Sequence, residues 1–348
     1  MTLARHTGAA LLVAVVLLVL TIKLSPFRDF QIAEVAAYVT AVAGLTYLIG
    51  LSGQVSIGHG AFMAIGAYIS ALIALHLHWP LEAIFAASAV AAAVAGGVVG
   101  VAAARLRGPY LAGATLMLAV ALPSLASKYA GLLGGDQGLG FNVTTPGFLG
   151  VTFPPTRWLA WITCAGALIT LVLLANLGRS KIGRSWRALR DNEVAASLSG
   201  LNVARMQILA FVVSSACAGL GGALLAAVSA IVSPGAFTLA LSIGLLTGAI
   251  LGGLGSLAGA VWGSIVLVFV PTYVQDVATS HGLSSAASSN VPIAAYGVVL
   301  IAVMLLFPSG IQGGLRRLLG PAAPAASAPF NALRRPAPAS EHQEEGTT

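Results

Sequence analysis

Apolar runs long enough to cross a lipid bilayer recur along this chain, and nothing in the sequence constrains its fold more. Ten of them occupy residues 8–25, 31–50, 59–77, 81–104, 108–127, 157–177, 206–228, 238–254, 257–275 and 291–308. A helix needs about 20 apolar residues to span a hydrocarbon core about 30 Å thick. Inside that core every backbone N–H and C=O must be satisfied within the protein, which leaves helices or closed barrels. Barrel strands alternate apolar and polar residues. The stretches from Ala86 to Val101 and from Ile208 to Val228 show no alternation. Only 8% of the residues are charged, against about 25% in soluble domains. The chain therefore predicts an all-α, polytopic transmembrane bundle of about ten spans. The first run follows Arg5 and His6 and meets no small-x-small cleavage site before Pro26, so it predicts an uncleaved span rather than a signal peptide.

The few cations orient that bundle. With the N-terminus cytoplasmic, an even number of spans returns the C-terminus to the same side. Arg5, Arg105, Arg107, the six basic residues from Arg179 to Arg205, and Arg316, Arg317, Arg334 and Arg335 then face the cytoplasm. Lys23, Arg28, Lys128 and Arg157 face outward. Cytoplasmic loops carry an excess of Lys and Arg, so the net charge of +7 is a topology signal rather than a nucleic-acid footprint. One transmembrane domain is expected over 1–319. The tail 320–348, Pro- and Ala-rich and then acidic from Glu341, has nothing with which to build a core and is expected to be disordered.

Two glycine-rich interruptions break the apolar pattern. One runs from Gly50 through Gly53, Gly58 and Gly60; the other runs from Gly252 through Gly253 and Gly255 to Gly259. Paired interruptions in the two halves of a membrane chain point to broken helices at a transport pathway. Irregular backbone at that depth survives only when buried in protein or facing a wet cavity. Gln54, Ser56 and His59 lie in the first break. Polar groups in a span are costly and face inward, either lining a path or hydrogen-bonding neighbouring helices. No carboxylate accompanies His59, which disfavours a metal or proton-relay role.

Residues 178–205 form the one long charged cytoplasmic loop. Within it, 185–198 suggests a short helix with Trp186, Leu189 and Val194 on one side, Arg187, Arg190 and Asp191 in water, and Gly200 at its C-terminus. Such a helix either docks on a cytoplasmic partner or lies on headgroups as a basic anchor. Gly178, Gly183, Arg184 and Ser185 nearly spell a phosphate-binding loop, but Arg184 stands where lysine is needed and no soluble α/β context surrounds it. Cys164 and Cys217 have no metal-ligand spacing, and no nucleophile–base or carboxylate pair suggests an enzyme.

The stretch from Gly50 to Tyr68 (Gly-Leu-Ser-Gly-Gln-Val-Ser-Ile-Gly-His-Gly-Ala-Phe-Met-Ala-Ile-Gly-Ala-Tyr) closely resembles the signature of LivM-type permease subunits of branched-chain amino-acid ABC importers. Further blocks follow in family order: Leu106-Arg-Gly-Pro-Tyr-Leu-Ala112, Gly183 to Ala223, Leu251 to Gly259, Tyr296-Gly297 and Phe307-Pro-Ser-Gly310. The resemblance covers about residues 30 to 318. It implies a multi-pass subunit of a bacterial cytoplasmic (inner) membrane importer working by alternating access. A second homologous permease subunit, two cytoplasmic ATPase subunits and an external substrate-binding protein would complete the complex. This chain itself would carry no cofactor, and ATP would be used by the ATPases. The segment Glu193-Val-Ala-Ala-Ser-Leu-Ser-Gly200 resembles the superfamily's coupling motif, usually Glu-Ala-Ala-x3-Gly, with one extra residue between Glu193 and Ala195-Ala196. By that resemblance Glu193, Ala195, Ala196 and Gly200, with Arg187 and Asp191 on the same segment, would be the ATPase-coupling residues, while Gln54, Ser56 and His59 in the glycine break remain the candidates for the substrate path or for packing between helices. Related subunits serve urea and short amides as well as leucine, isoleucine and valine. The alternative, a self-sufficient secondary transporter or channel, usually needs intramembrane acidic residues, and the predicted spans are nearly free of them.

Overall fold

The computed structural model describes residues 24–105, 109–143, 147–148, 151–152, 154–281 and 310–319, with single positions near 14–21 and 291–307. The predicted span 8–25 lies largely, and the tail 320–348 wholly, outside the described residues, while the described positions of the span 291–308 are helical as far as Leu306.

Seven described helices are long and apolar enough to cross a membrane. They are α1 (Pro26–Ser52), α2 (His59–His76), α3 (Leu81–Ala103), α4 (Pro109–Lys128), α6 (Pro155–Arg179), α9 (Val203–Ser229) and α11 (Leu257–Ser280). Shorter helices are α5 (Ala130–Leu133), α7 (Lys181–Asp191), α8 (Glu193–Leu198), α10 (Leu239–Gly252) and α12 (Gly310–Leu319). The predicted span 238–254 is instead α10, a helix of 14 residues. At 1.5 Å per residue it is about 21 Å long, short of the roughly 30 Å of hydrocarbon. A single 3-10 turn, Pro234–Phe237, precedes it, so the helix gains no length on that side.

Helix α9 is the centre of the bundle, packed between α1, α2 and α3. In lipid the hydrophobic effect does not drive helices together, so close backbone approach through small residues must. Three glycines of α9 supply it. A Cβ on Gly219 would strike Ala92 of α3, one on Gly221 would lie 2.8 Å from the Ala37 carbonyl of α1, and one on Gly222 would strike the Met63 carbonyl of α2. The outward face of α3 presents Val90, Val94 and Val98, four residues apart and exposed, as a lipid-facing helix does.

The two ends of the bundle differ. At one end α5 and a 3-10 turn lead into β1 (Leu139–Gly140). A separate hairpin pairs β2 (Gly147–Phe148) with β3 (Val151–Thr152). Strand β1 pairs antiparallel with β4 (Ile231–Val232), Leu139 opposite Val232, which ties the α4–α6 connection to the start of α10. The other end carries both glycine breaks and the basic segment α7–α8.

Candidate functional site

The site is built where α1 stops. Its long apolar run ends in a left-handed αL turn: Gly53 takes φ 75°, its N–H donates to the Ile49 carbonyl, and the Gln54 N–H donates to the Leu48 carbonyl. Left-handed backbone of this kind favours glycine. Residues 54–58 are then non-helical until α2 begins at His59.

Four groups in and beside this break reach four different helices. Gln54 donates from Nε2 to Ser52 Oγ at 3.2 Å and to the Gln207 carbonyl of α9 at 3.4 Å. The Ile57 N–H donates to Thr115 Oγ1 of α4 at 3.1 Å, and a Cβ on Gly58 would strike the Thr115 carbonyl. His59 Nε2 lies 3.2 Å from the Ala41 carbonyl of α1. A carbonyl only accepts, so that nitrogen carries the proton. The Gly60 N–H donates to Ser242 Oγ of α10 at 3.1 Å. Ser56 and His59 are fully buried, and Ser56 Oγ, His59 Nδ1 and Gln54 Oε1 have no hydrogen-bond partner among the described residues. Gln54, 7% exposed, borders a cavity of about 330 Å³ that also touches Gln207, Arg190, Asp191 and Glu193. Ser242→Ala leaves the Gly60 N–H without its partner. We expect it to lower the stability of the purified subunit by about 1–3 kcal/mol, read as a drop in its thermal unfolding midpoint.

The second break packs against the first. Gly253 and Gly255 take φ 114° and 78°, and Ser256 caps α11 by accepting from the Gly259 N–H at 3.3 Å. A Cβ on Gly50 would strike the backbone nitrogen of Gly255, and one on Gly252 would strike the Gly259 carbonyl. Gly310, which opens α12, is equally close: a Cβ there would lie 2.6 Å from the Gly253 nitrogen.

The charged loop differs from the single helix expected over 185–198. It forms two, because Asn192 adopts extended backbone (φ −160°) and caps α8 by accepting from the Ala195 N–H at 3.0 Å. Asparagine favours that role over a helix interior. Ser180 caps α7 in the same way, accepting from the Gly183 N–H. The break turns Val194 away from Trp186 and Leu189. Those two are buried, while Val194 and Leu198 are 67% and 84% exposed. Ala196 is buried and Ala195 exposed. Gly200 ends the segment at φ 83°. Arg187 is half-buried and Asp191 exposed.

Arg190 is exposed, as expected, yet one side of its guanidinium reaches inward. Its Nη1 donates to the Gly50 carbonyl at 2.6 Å, and its Nε and Nη2 hold Asp191 Oδ1 at 3.2 and 2.9 Å. The sequence held one signal for this contact. The last carbonyls of a helix lack partners and carry negative potential, yet α1 has no basic residue in its last turn. A cation from elsewhere was needed. Thr115, Gln207 and Ser242 were also absent from the expected set and gave no comparable signal.

Among the described residues no group of three or more His, Cys, Asp or Glu could hold a metal ion. Both cysteines are buried and free.

The family described as "Branched-chain amino acid transport system / permease component" matches residues 29–308. The chain is 31% identical over 261 residues to the high-affinity branched-chain amino acid transport system permease protein LivM of Salmonella typhimurium and of Escherichia coli, a match covering 69% of this chain. That match spans 61% of those relatives' own length. The permease protein BraD of Pseudomonas aeruginosa is 30% identical over 299 residues, covering 80% of this chain and 92% of its own. No solved structure gives a significant match. A family match across well over half of the 348 residues, on a bundle with seven helices able to cross a membrane, places this chain among the permease components of branched-chain amino acid transport systems.

Proposed function

We propose that the chain is one permease subunit of an ATP-driven importer in the bacterial inner membrane. It would pass branched-chain amino acids, or a related small amino acid or amide, by alternating access. The relatives' names supply the solute class. The observation that carries the division of labour is α7–α8. This segment leaves the bundle between α6 and α9, buries Trp186 and Leu189 against it, and turns the apolar Val194 and Leu198 outward. Exposed apolar side chains on a basic segment suit a protein partner better than water. In this reading the basic end is cytoplasmic, in keeping with the positive-inside rule. Two ATPase subunits there supply the energy, and a second related permease and an external binding protein complete the complex. Gln54, Ser56 and His59 then belong to the element that moves when the path opens.

The test is uptake into liposomes. The complete complex takes up a branched-chain amino acid only with ATP, and this subunit alone takes up none. Flux through the isolated subunit would instead favour the self-sufficient transporter. Within the complex, Glu193→Lys and Gly200→Pro are each expected to reduce uptake to background while membrane insertion is unchanged. Proline fixes φ near −65°, whereas Gly200 sits at 83°. Normal uptake by either well-expressed variant counts against the coupling role of α8.

A further inference from the structure

Arg190 joins three features that the transport reading leaves separate. It sits at the last turn of α7, one residue before the Asp191–Asn192 joint where the backbone changes from helical to extended. Its guanidinium caps the end of α1 through the Gly50 carbonyl, 140 positions away in sequence. Its stem lies against the turn that opens the first glycine break, since a Cβ on Gly53 would be 3.0 Å from Arg190 Cγ. Gly50 is in turn pressed against Gly255 of the second break. The cavity of about 330 Å³ lies at this junction, with Gln54 on its α1 side and Asn192 and Glu193 on its α8 side.

These contacts are suited to transmission rather than to bulk stability. The arginine fork offers fixed donors in a plane, here divided between a carbonyl of the bundle and a carboxylate of the coupling segment. The Asp191 side chain is largely exposed and so contributes little as a surface pair. What it does is orient the guanidinium, whose Nη1 reaches Gly50. A displacement of α8 acts at Asn192, beside Asp191, and reaches the α1 terminus through one short charge-assisted bond. We propose that Arg190 is a positioning residue that links the α7–α8 joint to the α1–α2 break, so that movement of α8 resets the backbone carrying Gln54 and Ser56. The proposal rests on reading the chain as the permease of an ATP-driven importer.

The experiment uses the whole reconstituted complex. Two quantities are read: solute carried per ATP hydrolysed, and maleimide labelling of Val55→Cys with and without a non-hydrolysable ATP analogue. Val55 borders the cavity and is 42% exposed. The chain's two native cysteines are buried, so the new thiol dominates the labelling of this subunit. In the wild-type background the labelling rate changes with the analogue. Arg190→Ala and Arg190→Gln are expected to assemble and hydrolyse ATP, to lose that change, and to carry about tenfold less solute per ATP, the equivalent of one charge-assisted hydrogen bond. Arg190→Lys, whose ammonium reaches a single acceptor, restores much of both.

If Arg190→Ala fails to assemble, Arg190→Gln decides, because it keeps most of the stem against Gly53. A wild-type ratio and wild-type nucleotide response in Arg190→Gln overturn the proposal. So does a lysine variant as defective as the glutamine one. Absence of ATP-driven uptake by the wild-type complex is a separate result: it overturns the importer reading, and the link falls with it.

Discussion

Gly222→Val should leave no folded subunit to recover from the membrane. Gly222 faces α2 at a crossing where any Cβ would overlap the Met63 backbone carbonyl. An overlap with a flexible side chain is relieved by a rotamer change; an overlap with backbone requires two helices to separate. Overpacking in ordinary cores costs about 1–3 kcal/mol, and here no neighbouring side chain can yield. Separation would also spread, because Gly219 and Gly221, within one turn of Gly222, hold α3 and α1 to the same helix. Domains are stable by only about 5–15 kcal/mol, so losing three helix contacts at once removes most of the margin. Gly113→Val is the control. It too adds an isopropyl group to a spanning helix, but among the described residues nothing beyond its own helix backbone and chain neighbours lies within 4 Å of the Cβ position there. The measurement is the monodisperse fraction after detergent extraction, with the thermal midpoint of whatever is recovered. Equal recovery of the two variants would sink the argument that α9 holds the bundle by backbone contact.

That hub explains why some of the molecule was legible in the sequence and some was not. A run of about 20 apolar residues has one economical conformation in lipid. The expected spans at 31–50, 59–77, 81–104, 108–127, 157–177, 206–228 and 257–275 accordingly each contain most of a described helix. The run 238–254 likewise contains the whole of α10, but that helix is shorter than the seven able to cross a membrane: hydropathy marks an apolar helix without marking whether it spans. Periodicity joined α7 to α8, because a count of that kind gives no weight to one Asn192 whose side chain competes with the helix for its own backbone.

The site was legible by cost and illegible by geometry. The expense of burying Gln54, Ser56 and His59 pointed inward and could go no further. Whether such groups face a path or a neighbouring helix depends on contacts between segments far apart in the chain. The Ile57 amide finds Thr115 at a separation of 58 residues, and the Gly60 amide finds Ser242 at 182. No local pattern encodes either pairing. The inward bond of the exposed Arg190 was missed for the same reason: its acceptor is a backbone carbonyl, which has no residue type to recognise.

Under the proposed importer function, Trp186→Ala should free the α7–α8 segment without dissolving the bundle, and reduce uptake to background. Trp186 is 1% exposed, and its indole N–H donates to the Met206 carbonyl at the start of α9 at 2.9 Å. Removing a buried indole costs about 3–5 kcal/mol, more than a short surface helix held otherwise by Leu189 and the Arg190 bond can absorb. The spans lose nothing, since Trp186 touches the bundle only at its basic end. Loss should therefore be local. Trypsin added to the basic side should cut the variant at Lys181, Arg184, Arg187 or Arg190 while sparing the same bonds in the wild type, and the subunit should still elute as a single species. Co-purification with the ATPases should fail, because α8 no longer holds Val194 and Leu198 in one place. Trp186→Phe keeps most of the buried surface and forfeits one hydrogen bond, about 1 kcal/mol, so its uptake should stay close to wild type. Protease resistance and normal uptake in Trp186→Ala would mean that α7 is held chiefly by Arg190. Loss of docking with Trp186→Ala, set against loss of coupling with docking intact in Arg190→Gln, would separate the residue that holds the segment in place from the residue that carries its motion inward.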